Sequence, residues 1–188
     1  MNQKSTNVKS IVITAFFACI VYLGIQSFRI PLPAAVGTPF LHFGHIFVML
    51  AVICLGARRS AIAGTLGLII FDILNGYIQA IPNVFCSTII KCLFVGCIWG
   101  LLKKKAAGNK RKEYIFGVVC GAIYGVSNIV VDFIFSTIEL VIAGSGLSAA
   151  ITAEITAIPA TIINAVFTVI GIAILYVPVK TAYDRIAK

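Results

Sequence analysis

Apolar runs of membrane-spanning length, separated by short segments that hold most of the charge, constrain this chain more than any other feature. A spanning helix needs roughly 20 mostly apolar residues. The chain has 188 residues, 60% of them hydrophobic and 11% charged, against about 25% charge in an ordinary soluble domain. A soluble fold of this size could not hide that much apolar surface, so the bilayer is the expected solvent. The expectation is an all-α integral membrane protein, one domain over residues 1–188, with six transmembrane helices and short loops.

The runs fall at about residues 10–28, 42–55, 60–77, 82–102, 114–143 and 148–177. The second is short for a span. Pro31, Pro33 and Pro39 exclude a regular helix between Arg29 and Leu41. That segment is apolar enough to fold back onto the helices. Gly56 to Arg59 makes a tight basic turn, Gly144-Ser145-Gly146 a second turn, and Pro159 a kink in the last helix. Lys4 and Lys9 before an apolar run resemble a signal peptide, but no clean cleavage site follows, so an uncleaved first helix is expected.

The net charge of +9 would suggest nucleic acid in a soluble protein. Here the basic residues sit in clusters between apolar runs and form no basic-aromatic face, so no nucleic-acid partner is expected. Lys4 and Lys9, Arg58 and Arg59, the run from Lys103 to Lys112, and the tail with Lys180, Arg185 and Lys188 fall on one side of a six-span chain. The opposite loops carry Arg29. By the positive-inside rule both termini are cytoplasmic.

Ionisable residues inside spans are costly and by default mark a functional site. The candidates are His45, Asp72, Lys91, Asp132 and Glu154, with Asn75, Asn128 and Asn164 as neutral partners, Tyr77 as an aromatic wall, and Asn83 and Glu139 at the rim. At 1.5 Å per residue, Asp72 lies roughly 8 Å from the outer end of its helix. Asp132, His45 and Glu154 also fall in the outer half, with Lys91 and Asn164 deeper. The pattern implies a pocket open to the outside and closed towards the cytoplasm. The competing structural account is that these groups only pair with each other across helices, Lys91 with Asp72 or Asp132.

Other chemistries find little support. Cys19, Cys54, Cys86, Cys92, Cys97 and Cys120 lie in apolar stretches without metal or redox spacing and read as packing residues. His42 and His45 lack the glutamate of a HExxH motif, so no metal or other cofactor is expected. No phosphate-cradling GxxxxGK[ST] is present, so energy for transport would have to come from a partner. On the first helix small residues recur at four-residue spacing, Thr14 with Ala18 and Ala15 with Cys19, which permits close approach of another helix.

The stretches Ile30-Pro31-Leu32-Pro33, His42-Phe43-Gly44-His45, Leu55-Gly56, Ala63-Gly64, Phe71 to Tyr77 and Ile89-Ile90-Lys91 resemble the substrate-binding (S) components of energy-coupling factor (ECF) transporters. The likeness is greatest to the hydroxymethylpyrimidine and pyridoxine group. It covers about the first 100 residues in motif detail and the remainder in architecture. The resemblance implies a six-helix protein of the bacterial plasma membrane that binds a vitamin-like molecule on its outer side. It also implies docking, through small residues of the first helix (here Ala15, Ala18 and Cys19), on a transmembrane coupling protein that carries two ATPase subunits. His45 stands where the family usually has aspartate, Asn75 replaces serine and Cys92 replaces glycine, departures that point to a different substrate.

The resulting expectation is a non-enzymatic S component. Its ligand, a small heterocycle of the hydroxymethylpyrimidine type, would be covered by residues 29–41, held by Asp72, Asn128, Asp132 and Glu154, and stacked on Tyr77 and Phe71. A deazapurine queuosine precursor or riboflavin is the alternative ligand. The rival of another class is an intramembrane enzyme acting on a lipid or prenyl group, which would need paired acids facing the cytoplasm or a metal.

Overall fold

The structure, a computed structural model, describes residues 3–32 and 39–187, with side chains from residue 8 onward. The Lys4 side chain, Pro33, Gly37, Thr38 and Lys188 lie outside the described residues.

Six α-helices alternate in direction: α1 (Gln3–Gln26), α2 (Gly44–Leu55), α3 (Ala57–Asn75), α4 (Ile81–Ala106), α5 (Lys110–Ile142) and α6 (Leu147–Ala187). Between α1 and α2 the proline-bearing segment forms an antiparallel pair, β1 (Arg29–Pro31) with β2 (Phe40–His42), in which Ile30 faces Leu41. A single 3-10 turn, Ile78–Ala80, leads into α4.

Helix ends follow local chemistry. Gly76, with φ 81°, closes α3 in the left-handed region that glycine enters without steric cost. Asn109 caps α5 by accepting the Lys112 N–H. Lys103, Lys104 and Lys105 sit in the last turn of α4, against the negative end of its dipole.

The extents differ from expectation mainly at the basic end. α3, α4, α5 and α6 each run further there than their apolar runs, because amphipathic and charged residues continue a helix beyond the hydrocarbon. The fifth helix is one continuous helix, and α6 continues through Pro159 and Pro178. Among the described residues, four helices are long and apolar enough to cross a membrane by themselves: α1, α4, α5 and α6. α2, at 12 residues, is only about 18 Å long. α3 has 19 residues but includes Arg58, Arg59 and Asp72, which lower its hydropathy.

α2 is the axis of the bundle. It packs against α1, α3, α4 and α6, and every residue from Val48 to Cys54 is buried. A helix apolar on all sides belongs in such a place. The outer helices turn apolar stripes outward instead: Ile62, Leu66, Ile70 and Ile73 on α3, and Val126, Val130 and Ile134 on α5, are all exposed. For a protein in lipid these stripes are the solvent-facing surface.

Candidate functional site

Helix direction places the start of α2, α4 and α6 and the end of α1, α3 and α5 at one end of the bundle, together with the β1–β2 pair. The basic turns lie at the other end. At the β1–β2 end the helices enclose a cavity of about 390 Å³, within the usual range of small-molecule sites, about 300–1,000 Å³.

At its floor is Lys91, on α4 and only 2% exposed. Its ammonium donates to Asp132 Oδ1 at 2.7 Å and to Asn128 Oδ1 at 2.8 Å, both on α5. An ammonium has three N–H donors, so one stays available towards the cavity. Asn128 and Asp132 are four residues apart, which puts both on the face of α5 that meets Lys91. Asp132, 29% exposed, also lines the cavity; Asn128 does not, and serves to hold Lys91.

Asp72 enters from α3. It is 7% exposed, and its Oδ2 has no hydrogen-bond partner among the described residues. A buried carboxylate oxygen without a donor costs free energy that a ligand N–H or O–H would recover. Glu154 of α6 and Glu139 of α5 complete a wall in which four carboxylates, Asp72, Asp132, Glu139 and Glu154, face one lysine. Glu139 Oε2 accepts from Asn83 Nδ2 at 3.0 Å, and the same amide donates to Ser136 Oγ.

Phe40, Tyr77, His42 and His45 supply the aromatic lining. The His42 and His45 ring centroids are 4.6 Å apart, and His45 Nδ1 lies 3.4 Å from Tyr124 Oη. Phe71, expected to stack on the ligand, does not line the cavity. It is buried behind Tyr77, with the two rings stacked at 5.9 Å, and the Arg29 guanidinium lies 5.2 Å from its centroid.

Of the residues singled out in the sequence, His45, Asp72, Tyr77, Lys91, Asp132 and Glu154 meet at the cavity. Asn75 and Asn164 do not line it, because their amides are committed to the covering hairpin. Asn75 accepts from Arg29 Nη1 and donates to Gln26 Oε1 and to Phe71 O. Asn164 Oδ1 accepts the His42 N–H, while its Nδ2 donates to Phe40 O. It therefore binds β2 as a neighbouring strand would.

Further lining residues escaped the sequence reading: Ser87, Thr88, Phe133, Ser136 and Thr161. Part of this was available as spacing. Asn83, Ser87 and Lys91 recur every four residues on one face of α4, and Asp132, Ser136 and Glu139, four and three residues apart, share a face of α5.

On α1, Ala15 and Cys19 are exposed. Ala18, expected on the same docking face, is buried. It faces α3, where a Cβ on Gly67 would come within 2.6 Å of the Ala18 carbonyl oxygen. Ala18 is thus spent on packing inside the bundle.

No curated protein matches the chain. Among solved structures, ThiT from Listeria monocytogenes superposes with a TM-score of 0.68 at 21% identity, over 96% of this chain and 98% of that one. At that identity the likeness establishes the fold. Residues 5–181 match the family of the ECF-type riboflavin transporter S component. The match spans nearly the whole chain, and its expected apparatus is present: a helical bundle with apolar outer surfaces, a covered polar cavity at one end and a basic opposite end. The chain therefore belongs to the S-component family of ECF-type riboflavin transporters, membrane subunits that bind a vitamin and work with a coupling protein and ATPases rather than acting as enzymes.

Proposed function

We propose that the cavity at the β1–β2 end takes up a small, donor-rich heterocyclic micronutrient from outside the cell, with an aminopyrimidine of the hydroxymethylpyrimidine type the best fit. The observation that carries this reading is the unpartnered Oδ2 of buried Asp72 on a wall of four carboxylates and one lysine. Such a wall favours a neutral or cationic ligand rich in N–H groups and disfavours an anionic one. Tyr77 and Phe40 offer ring faces for stacking. Asp72 accepts from the ligand. Asp132 and Glu154 accept from other edges, and the remaining Lys91 N–H donates to a ring nitrogen or carbonyl.

Riboflavin is the second reading, favoured by the family match. Its ring system is rich in acceptors, so it would lean on Lys91, Asn83 and the histidines more than on the carboxylates.

The orientation belongs to the same proposal. Arg58, Arg59, Lys103 to Lys105 and Lys110 to Lys112 all lie at the end opposite the cavity, which by the positive-inside rule is cytoplasmic. Six passes through the membrane follow, α2 being carried by the helices around it. The exposed Ala15 and Cys19 of α1 offer the coupling protein a surface of small residues.

The test is a thermal-stability screen of the purified protein in mild detergent against B-vitamins, their precursors and deazapurines. A ligand at a hundredfold excess over Kd stabilises by about 2.7 kcal/mol. A shift with an aminopyrimidine that disappears in Asp72→Asn supports the first reading. A shift with riboflavin alone replaces it with the second.

A further inference from the structure

The cavity at the β1–β2 end holds an imbalance of charge that the bundle leaves open. Four of the chain's six acidic residues, Asp72, Asp132, Glu139 and Glu154, line it. Of the 15 basic residues only Arg29 and Lys91 belong to that end of the bundle, and residues 33–38 carry no charge. Lys91 is paired with Asp132. The Arg29 guanidinium donates to Asn75 and lies over the Phe71 ring; it does not line the cavity. Asp72, Glu139 and Glu154 are in no ion pair among the described residues.

The acids stand at two levels. α4 and α5 are joined beside the cavity by two sets of side-chain bonds. In the deeper set Lys91 donates to Asp132 and Asn128. In the set nearer the rim Asn83 donates to Glu139 and Ser136. Eight residues of α4 and seven of α5 separate the sets, about 10–12 Å along the helix axes. The deeper set is neutral as a whole. The rim set holds a carboxylate bonded by a neutral amide, too far from Lys91 to pair with it. Asp72 stands three residues from the cavity end of α3, as Glu139 does on α5. It is 7% exposed and lines the cavity, and its Oδ2 has no hydrogen-bond partner among the described residues. A buried carboxylate with neither donor nor counter-charge is costly.

The lining indicates which kind of positive charge fits these acids. They do not converge as a metal's ligands do: among the described residues no three His, Cys, Asp or Glu side chains group at such spacing. Aromatic rings stand beside them instead. Tyr77 follows the last turn of α3 and donates its N–H to the Asp72 carbonyl, and its ring lies 6.3 Å from that of Phe40, which also lines the cavity. Ring faces beside carboxylates suit an organic cation, whose charge is spread and whose carbon surface is apolar. We infer, on the reading of this cavity as the uptake site, that its ligand is an organic cation. An ammonium or positively charged ring nitrogen is held near the rim by Asp72, Glu139 and Glu154, and the uncharged part points towards Lys91.

The test is ligand titration of the full chain in a neutral mild detergent with two matched pairs of probes: hydroxymethylpyrimidine and its aminomethyl analogue, and 3-hydroxymethylpyridine and 3-aminomethylpyridine. Within each pair a hydroxyl is exchanged for an ammonium of similar size. The ammonium member is expected to bind at least about tenfold more tightly. The double variant E139Q/E154Q keeps an acceptor oxygen for Asn83, so it should fold. It should bring the two members of each pair to within about threefold while the Kd of the hydroxyl member stays within about twofold of the parent. Glu113→Gln, at the basic end, should keep the full preference. Equal affinity within each pair would mean that the rim acids act as neutral carboxyls; it would overturn the cationic ligand and leave the uptake site standing. A preference that survives undiminished in both E139Q/E154Q and Asp72→Asn would overturn these acids as its source. Rejection of all four probes by folded protein, with riboflavin bound or not, would overturn both the cationic ligand and the aminopyrimidine reading.

Discussion

At the β1–β2 end, α3, α4, α5 and α6 stand apart around a cavity walled by carboxylates, a lysine and aromatic rings. Deeper in the bundle and towards the basic end the same helices close up, and small residues set how near they come. A Cβ on Gly96 of α4 would meet the Ala57 Cα at 2.5 Å, and one on Gly117 of α5 would meet the Tyr176 ring at 2.5 Å. Trp99 meets the Tyr176 ring edge-on and donates its indole N–H to Ile53 O. One half thus holds polar groups that water or a ligand must satisfy, while the helix contacts named in the other are set by small residues.

The contrast can be broken most severely at Lys91. Lys91→Met would leave Asp132 and Asn128 without their buried donor. The expected outcome is a loss of about 3 kcal/mol in stability together with loss of ligand binding, read by chemical denaturation and by ligand titration. If binding survives at full strength, the Lys91 cluster is structural and the ligand sits nearer the rim.

The close-packed half is tested by Gly96→Val. The added side chain meets backbone atoms of Ala57 that cannot rotate away, so a cost of about 1–3 kcal/mol is expected, while the Kd of the folded fraction stays unchanged. A changed Kd would mean that the two halves are coupled through α4.

Asp72→Asn sharpens the comparison in the open half. It should weaken binding of a donor-rich ligand by about tenfold to a hundredfold without lowering the stability of the free protein, because the replaced oxygen has no partner to lose. A large drop in stability would place Asp72 among the structural polar residues instead.

Asn164→Ala removes two hydrogen bonds that hold β2. It should raise the ligand dissociation rate by roughly tenfold with a smaller effect on association. Stopped-flow displacement measures both. An unchanged off-rate would show that the hairpin is held by its other contacts, Phe40 with Phe71 and Tyr77 and Arg29 with Asn75.

The least effect is expected from Ala15→Leu. Ala15 is exposed, so stability and ligand affinity should stay within about 0.5 kcal/mol of the parent. Assembly with the coupling protein, followed by co-purification, should nevertheless fall. Unimpaired assembly would move the docking surface off α1.

Sequence alone determined the class of the molecule and its axis. Apolar run length points to a helical membrane bundle because the bilayer leaves no other way to satisfy the backbone, and Arg58, Arg59 and the lysines collect at one end of it because charge stays out of hydrocarbon. A polar cluster was legible for the same reason: Asp72, Lys91, Asp132 and Glu154, which meet at one cavity, are too costly in a membrane to be incidental. Which of the polar residues face the cavity was decided only in the folded structure. Asn75 and Asn164 carry the same amide group as Asn83, yet they are bound to the hairpin while Asn83 lines the cavity. Ala15 and Ala18 differ by three residues on one helix, and only the approach of Gly67 makes one of them interior. A side chain's role in such a bundle depends on which neighbour reaches it first, and that neighbour comes from another helix at a distance the local sequence does not encode.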